Sequence, residues 1–259
     1  MTGTITTCIT NQAKIDFMQG GHLFALSNAQ VGNTTSGGTL VNSLTNTAVL
    51  VVGMTVYSGN NLNAANTAIL ARIINSTAIE MSETSSATSN GTYTFTGDTF
   101  NVALIKYQPT NSYDRNTACF ANVQGDEVSG TGYTANGIAL TLVAPGAGRG
   151  VDIIDSNTAI VNFSNPSWAG ATISAAGMVV FNRGIINSTP STPYQRVGYT
   201  ASGASVNSSS IGLANVGSNA TAMHTVSLHD FGGQQTVTGG TFTINMPTAN
   251  GTAAILRIG

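Results

Sequence analysis

The sequence predicts an all-β fold: a β-sandwich or jelly-roll-like core with one short N-terminal helix and an inserted small β module. Three observations carry this expectation. Apolar residues come in short bursts of strand length rather than in sustained 3.6-residue periods. The bursts are rich in Val, Ile, Thr and aromatic residues and are broken by Gly, Asn and Ser clusters. Only one stretch, near the start, has helical spacing.

That stretch is NQAKIDFMQ at 11–19. Ala13 and Phe17, with Ile9, share a face at i, i+4 spacing, Thr10 or Asn11 can cap the start, and Gly20-Gly21 can end the helix. Strands are expected next at 39–44, 48–57, 68–75 and 78–82, and at 91–96 with the alternating TYTF. FNVALIKY at 100–107 is the strongest strand candidate, succeeded by 138–143, 158–163, 177–182, 224–231, 240–246 and 253–258. Residues 27–97 read as a self-contained β-rich block, entered through NTTSGG and left through TSSATSNG. The main domain is then 1–26 with 98–259, and 27–97 is an inserted small β domain. Residues 183–222 are dominated by Ser, Asn, Gly and Thr; such a stretch builds no core of its own and is expected to pack on a neighbour or stay mobile.

Composition narrows the function classes. Of 259 residues only 7% are charged, and the net charge is −2. Eight scattered Lys and Arg residues make no basic run, so partners that are held by long-range charge, nucleic acid and acidic membranes, are not expected. The longest apolar run, AVLVVGMTV at 48–56, is too short to span a bilayer, and the first residues show neither a basic leader nor an apolar signal core. Two cysteines, Cys8 and Cys119, are too few for a disulfide scaffold and read as buried thiols.

The stretch EVSGTGYTANGIALTLV at 127–143 looks at first like a phosphate loop, with Gly130 and Gly132 and Ala135 in the third glycine position of a dinucleotide fingerprint. The next residues decide against it: Asn136-Gly137 leads into an alternating β pattern instead of a helix, and the segment has no Lys for a P-loop. The glycines are expected to serve a bend.

Other constellations also read as architecture. His229-Asp230 would put a catalytic pair on opposite faces of a strand, and Asp230 is expected to satisfy turn amides before Gly232-Gly233. His22, His224 and His229 lack accompanying ligands at zinc spacing. Asp152 and Asp155, the nearest carboxylate pair apart from Asp126-Glu127, read as turn caps rather than a calcium loop; spacing leaves a paired-carboxylate glycosidase open, and only ten acids and a single tryptophan count against it. Trp168, the single tryptophan, reads as a core anchor at the start of a strand, and sequons such as those at Asn75 and Asn187 arise by chance in so Asn- and Thr-rich a chain. No catalytic, cofactor-binding or metal residue is expected, no cofactor, and no enzyme.

Several blocks in fixed order carry a family resemblance: DTFNVALI at 98–105, DEVSGTGYTANGIALT at 126–141, AIVNFSNPSWAGATISAAGMVVFN at 159–182, and LHDFGGQQTVTGGTFTINMPTANGTAAILRIG at 228–259. Together they cover about a third of the chain, and it resembles a family of small β-rich structural virion proteins of tailed bacteriophages. Block 27–97 and the excursion 183–222 depart from that pattern as insertions; VLVVGMTVYSG, ARIINSTAIEMS and GTYTFTG in the first resemble a small β module of phage tail and surface proteins. The resemblance implies a virion component and carries no catalytic residue over. The function expected is a capsid decoration (cement) protein on the exterior of the phage particle. It would bind the major capsid protein and copies of itself, as a trimer, with no nucleic-acid or membrane partner. The alternative is a tail- or fibre-associated protein contacting the host surface, with Tyr57, Tyr93, Tyr113 or Tyr194 as a glycan platform.

Overall fold

The computed structural model describes residues 2–18, 20–58, 62, 68–143, 151–154, 158–183, 223–248 and 253–258. Over these the chain is all-β with one helix. In order come β1 (Cys8–Ile9), α1 (Asn11–Met18), β2 (Asn28–Thr34), β3 (Leu40–Val41), β4 (Thr55–Tyr57), β5 (Leu70–Asn75), β6 (Ala78–Met81) and β7 (Ser89–Thr96). The second half contributes β8 (Phe100–Lys106), β9 (Ile138–Leu140), β10 (Leu142–Val143), β11 (Asp152–Ile154), β12 (Thr158–Phe163), β13 (Ser167–Asn182), β14 (Thr225–Thr243) and β15 (Leu256–Ile258).

The central sheet is antiparallel in the order β1-β14-β13-β8-β9. Val102 to Ile105 make a continuous apolar run because β8 is buried on both faces, and the buried Asn101 beside them donates to the Asn136 carbonyl at 3.0 Å. Phe100, Val102 and Leu104 face one core, where they meet Val161 and Phe163 of β12 and Leu256 of β15 from a second sheet. Ala103 and Ile105 face another core, closed by Tyr113, Phe120 and Val123. β13 repeats the alternation, with Met178 and Val180 on the first side and Val179 and Phe181 on the second. Stacked rings 4.3 Å apart mark both faces: Phe24 on Phe100, and Phe120 on Phe181. A jelly-roll connectivity is not confirmed by this strand order; two antiparallel sheets enclose one core, and the other face of the central sheet carries a second.

Residues 28–96 form two further three-stranded sheets, β2-β7-β4 and β3-β6-β5. They enclose their own core, built around Val41, Leu44, Leu70, Ile79, Tyr93 and Phe95. The chain crosses between cores within two residues, since Phe24 belongs to the main core and Ala25 to this one.

Several expected elements are redrawn. The run 48–57 is not one strand: a 3₁₀ turn at Thr47–Val49, capped by the Asn46 side chain on the Ala48 amide, leaves only β4. β2, with the polar sequence NAQVGNT, is an addition to the expected strands; it alternates buried and exposed side chains against β7. The run 138–143 divides, β9 joining the central sheet and β10 the second. The expected strands at 224–231 and 240–246 are one element, β14. The register passes from Gly177↔Asp230 to Ala175↔Gln235, so residues 231–234 bulge out of the ladder without ending the strand. The Asp230 carboxylate accepts the Gly232 amide at 3.0 Å and pins that bulge. The excursion 183–222 lies, after Arg183, outside the described residues until Met223.

Candidate functional site

Helix α1 begins where Thr10 Oγ1 accepts the Ala13 amide at 3.1 Å, and its buried side chains are Ala13 and Asp16. An acid on the apolar face is stable only if it is matched by donors. Asp16 Oδ1 accepts from Gln12 at 2.8 Å, and Oδ2 accepts from His224 Nδ1 at 2.9 Å. His22 Nε2 lies 3.2 Å from the same Oδ2, but not in line for a straight hydrogen bond. Burial opposes ionisation of Asp16, yet the two imidazoles outweigh it and hold the carboxyl well below the usual carboxylate range. Asn182 completes the network: its side-chain nitrogen donates to Asp98 Oδ2 at 2.7 Å and to His22 Nδ1 at 3.0 Å. Asp98 Oδ2 also accepts the Leu23 amide at 2.8 Å.

A second carboxylate, Asp126, is fully buried. It accepts from Tyr113 at 2.6 Å, Thr110 at 2.7 Å, the Asn111 amide at 2.9 Å and the Lys106 ammonium at 2.7 Å. Burial again opposes ionisation, and these donors, Lys106 first, outweigh it and depress the carboxyl. Its neighbour Glu127 points into the EVSGTGY loop, where Oε1 accepts from Tyr133 at 2.8 Å and from the Gly137 amide at 3.1 Å. Burial pushes Glu127 up, and burial together with the Glu127 charge pushes the Tyr133 phenol up. The loop packs on bare backbone: a Cβ at Gly132 would sit 2.8 Å from Ala171 Cα, and one at Gly137 would strike the Val102 carbonyl. It is therefore a corner piece and presents no row of amides to a phosphate.

The remaining candidates sit apart from one another. His229 faces a cleft and Asp230 faces solvent, so they form no dyad; His229 instead contacts Ser227 at 3.0 Å, and burial holds its ring down at about 4. Trp168 is buried, stacked 5.8 Å from Tyr133 and edge-on to Phe242 at 6.1 Å. Cys8 is half-buried and Cys119 buried, both free, which corrects the expectation that both thiols are buried. Of the expected glycan platform, Tyr93 and Tyr113 are buried, their hydroxyls bound to Thr34 and Asp126, so the platform loses two of its four rings; Tyr194 lies outside the described residues. Asp155 also lies outside them, so the Asp152–Asp155 pair is not described. Among the described residues no group of three His, Cys, Asp or Glu side chains is placed to hold a metal ion, and no helix is long and apolar enough to cross a membrane. The pairing of His22 with His224 through Asp16 is not legible in the sequence; Asp16 and His224 are 208 positions apart, and only a polar residue on the helix's apolar face signals it.

No family model, curated protein or solved structure matches the chain.

Exposed charges are sparse and scattered among the described residues, Lys14, Arg72, Asp114, Arg115, Asp230 and Arg257 among them. Beyond Leu228, where β1 ends its pairing, the outer edge of β14 meets no strand among the described residues. Beside it opens a cleft of about 430 Å³ walled by Met178, Phe231, Phe242, Ile244 and Met246, with His229 inside. On the far side of the main core, Ile153 and Ile258 stand exposed on either side of Ala159 in one cross-strand row. The buried carboxylates Asp16 and Asp126 are engaged by donors within the fold.

Proposed function

We propose that the chain is a bacteriophage virion structural protein: a capsid decoration protein that binds the outer surface of the major capsid protein shell and stabilises it. The observation that carries this reading is the pairing of internally matched buried charges with sparsely charged outer surfaces, the β14 edge and its apolar cleft foremost. A partner held there gains affinity from main-chain pairing and apolar burial, which favours a large, fitted interface over charge steering. The resemblance of the blocks at 98–105, 126–141, 159–182 and 228–259 to phage structural proteins supports the same reading. Self-association as a trimer belongs to this proposal. The alternative, a tail- or fibre-associated protein contacting the host, is weakened by the burial of Tyr93 and Tyr113.

Cryo-electron microscopy of assembled particles tests the proposal. Density for this fold on the outer face of the shell, in symmetric copies, is the expected result. Density confined to the tail, or none on the particle, would overturn it.

A further inference from the structure

The main core is left open where β14 passes its bulge. Met178 of β13 and His229 of β14 are direct cross-strand partners, so both side chains stand on the main-core face of the central sheet, and Phe231 packs on the same core. The β13–β14 pair slips register between Trp168 and Ala171, between Ala171 and Ile173, and between Ala175 and Gly177; irregularities of this kind bend a ladder. Phe242, far along β14, thereby comes to 6.5 Å from Phe231 between ring centroids. Ile244 and Met246 follow it, and the space enclosed is the cleft of about 430 Å³.

That volume is in the range of small-molecule pockets, about 300–1,000 Å³. No Asp, Glu, Lys or Arg lines it. An ion entering would lose its hydration and meet no counter-charge, so the cleft disfavours charged guests. The rings of Phe231 and Phe242 are tilted rather than stacked face to face, and an aromatic guest can meet them edge to face. The thioethers of Met178 and Met246 make favourable contacts with ring edges. One polar handle reaches the space. His229 Nε2 is occupied by Ser227 Oγ at 3.0 Å. Its Nδ1 has no hydrogen-bond partner among the described residues and, unlike Nε2 of His22 and of His224, is not sealed from solvent. Burial holds the ring neutral down to about 4, so it brings no charge of its own at neutral pH. Whichever way the proton lies between Ser227 and Nε2, Nδ1 is left as either a donor or an acceptor, and a hydroxyl answers both.

We propose that this cleft binds an uncharged aromatic molecule carrying a hydroxyl group, its ring between Phe231 and Phe242 and its hydroxyl on His229 Nδ1. The guest supplies the contacts that an open end of the core forfeits. A carboxylate in place of the hydroxyl would be buried without a counter-charge, and a bare hydrocarbon would cover Nδ1 without matching it. The site is distinct from the surface at which a strand partner would be added: the guest lies on the core face of the sheet, the partner at the β14 edge. The binding site therefore stands or falls independently of the virion reading, and the isolated chain suffices to test it.

Methionine-methyl ¹³C spectra of the full chain, titrated at neutral pH with β-naphthol and separately with its carboxylate counterpart β-naphthoate, test the site. Saturable shifts with β-naphthol are expected at Met178 and Met246, and none at Met54 and Met81 in the core of block 27–97. The dissociation constant is expected below about 1 mM, with β-naphthoate bound at least about tenfold more weakly. His229→Leu keeps an apolar side chain in place of the ring and is expected to weaken β-naphthol about tenfold. Binding weaker than about 1 mM, shifts spread over all the methionines, equal affinity for β-naphthoate, or affinity for β-naphthol unchanged by His229→Leu would overturn the proposal. Should that variant not fold, the imidazole ¹⁵N shifts of the unaltered protein decide. A shift at His229 Nδ1 that saturates with β-naphthol is expected; an Nδ1 that does not respond would overturn the site.

Discussion

Tyr133 closes on Glu127, six residues earlier, donating its hydroxyl proton to Oε1 at 2.8 Å while the same hydroxyl oxygen accepts the Leu104 amide at 3.0 Å. One phenol thus locks a glycine-rich corner onto the central strand β8. Tyr133→Phe removes both bonds and leaves the Leu104 amide and Glu127 short of partners in a half-buried site. A loss of about 1–3 kcal/mol is expected. Urea unfolding measures it, and an unchanged midpoint with unchanged slope would show that the phenol holds nothing.

The same corner depends on bare backbone at Gly132 and Gly137. Both have left-handed φ, 75° and 66°, and a Cβ at either would press on the strand beneath. Gly132→Val combines backbone strain with a clash against Ala171 and is expected to cost about 2 kcal/mol or more. Gly170→Ala is the control: its φ is 61°, with nothing within 4 Å of the added carbon, so it incurs strain alone. Thermal unfolding should rank Gly132→Val well below Gly170→Ala. The reverse order would contradict the packing described.

Trp168 sits between Tyr133 and Phe242 with its ring out of water. Trp168→Ala is expected to destabilise by about 3–5 kcal/mol, through lost burial and the cavity left behind. Tryptophan fluorescence offers a direct check before any mutation, since Trp168 is the only tryptophan. Emission should be blue-shifted and resist quenching by iodide in the folded protein, and an emission maximum like that of free tryptophan would remove Trp168 from the core.

Asp126 governs part of the acid limb of stability. Its carboxyl is depressed in the folded state by Lys106, Tyr113 and Thr110 against the opposing effect of burial. Its contribution is therefore complete above the ordinary carboxylate value, about 4, and is lost as pH falls through the depressed folded value. Asp126→Asn should lower stability at neutral pH and flatten its fall below about pH 4. Denaturant midpoints at several pH values for both proteins test this; parallel curves would assign the acid limb elsewhere.

How far local pattern reaches is visible in particular elements. FNVALIKY announces a strand because β8 is buried on both sides, which demands the apolar run Val102 to Ile105. NQAKIDFM announces a helix because its cap, Thr10, and its terminator, Gly20, are local. NAQVGNT does not announce β2, since half its side chains face solvent and its order comes from β7. DFGG reads as the end of a strand because two glycines with φ of 73° and 150° resemble a turn; the ladder on β13 carries the chain past them as a bulge.

Composition and local periodicity settled that this chain is built from strands, carries little charge, and uses its EVSGTGY glycines as a bend. Those properties depend on neighbours a few residues apart, whose steric and solvation preferences act before the chain closes. Which strands became partners, that β13 and β14 run on as one long pair, and that Asp16 gathers His22 and His224 were decided by folding. Contacts between residues two hundred positions apart leave no period to read, and a buried acid becomes tolerable only once distant donors have arrived around it.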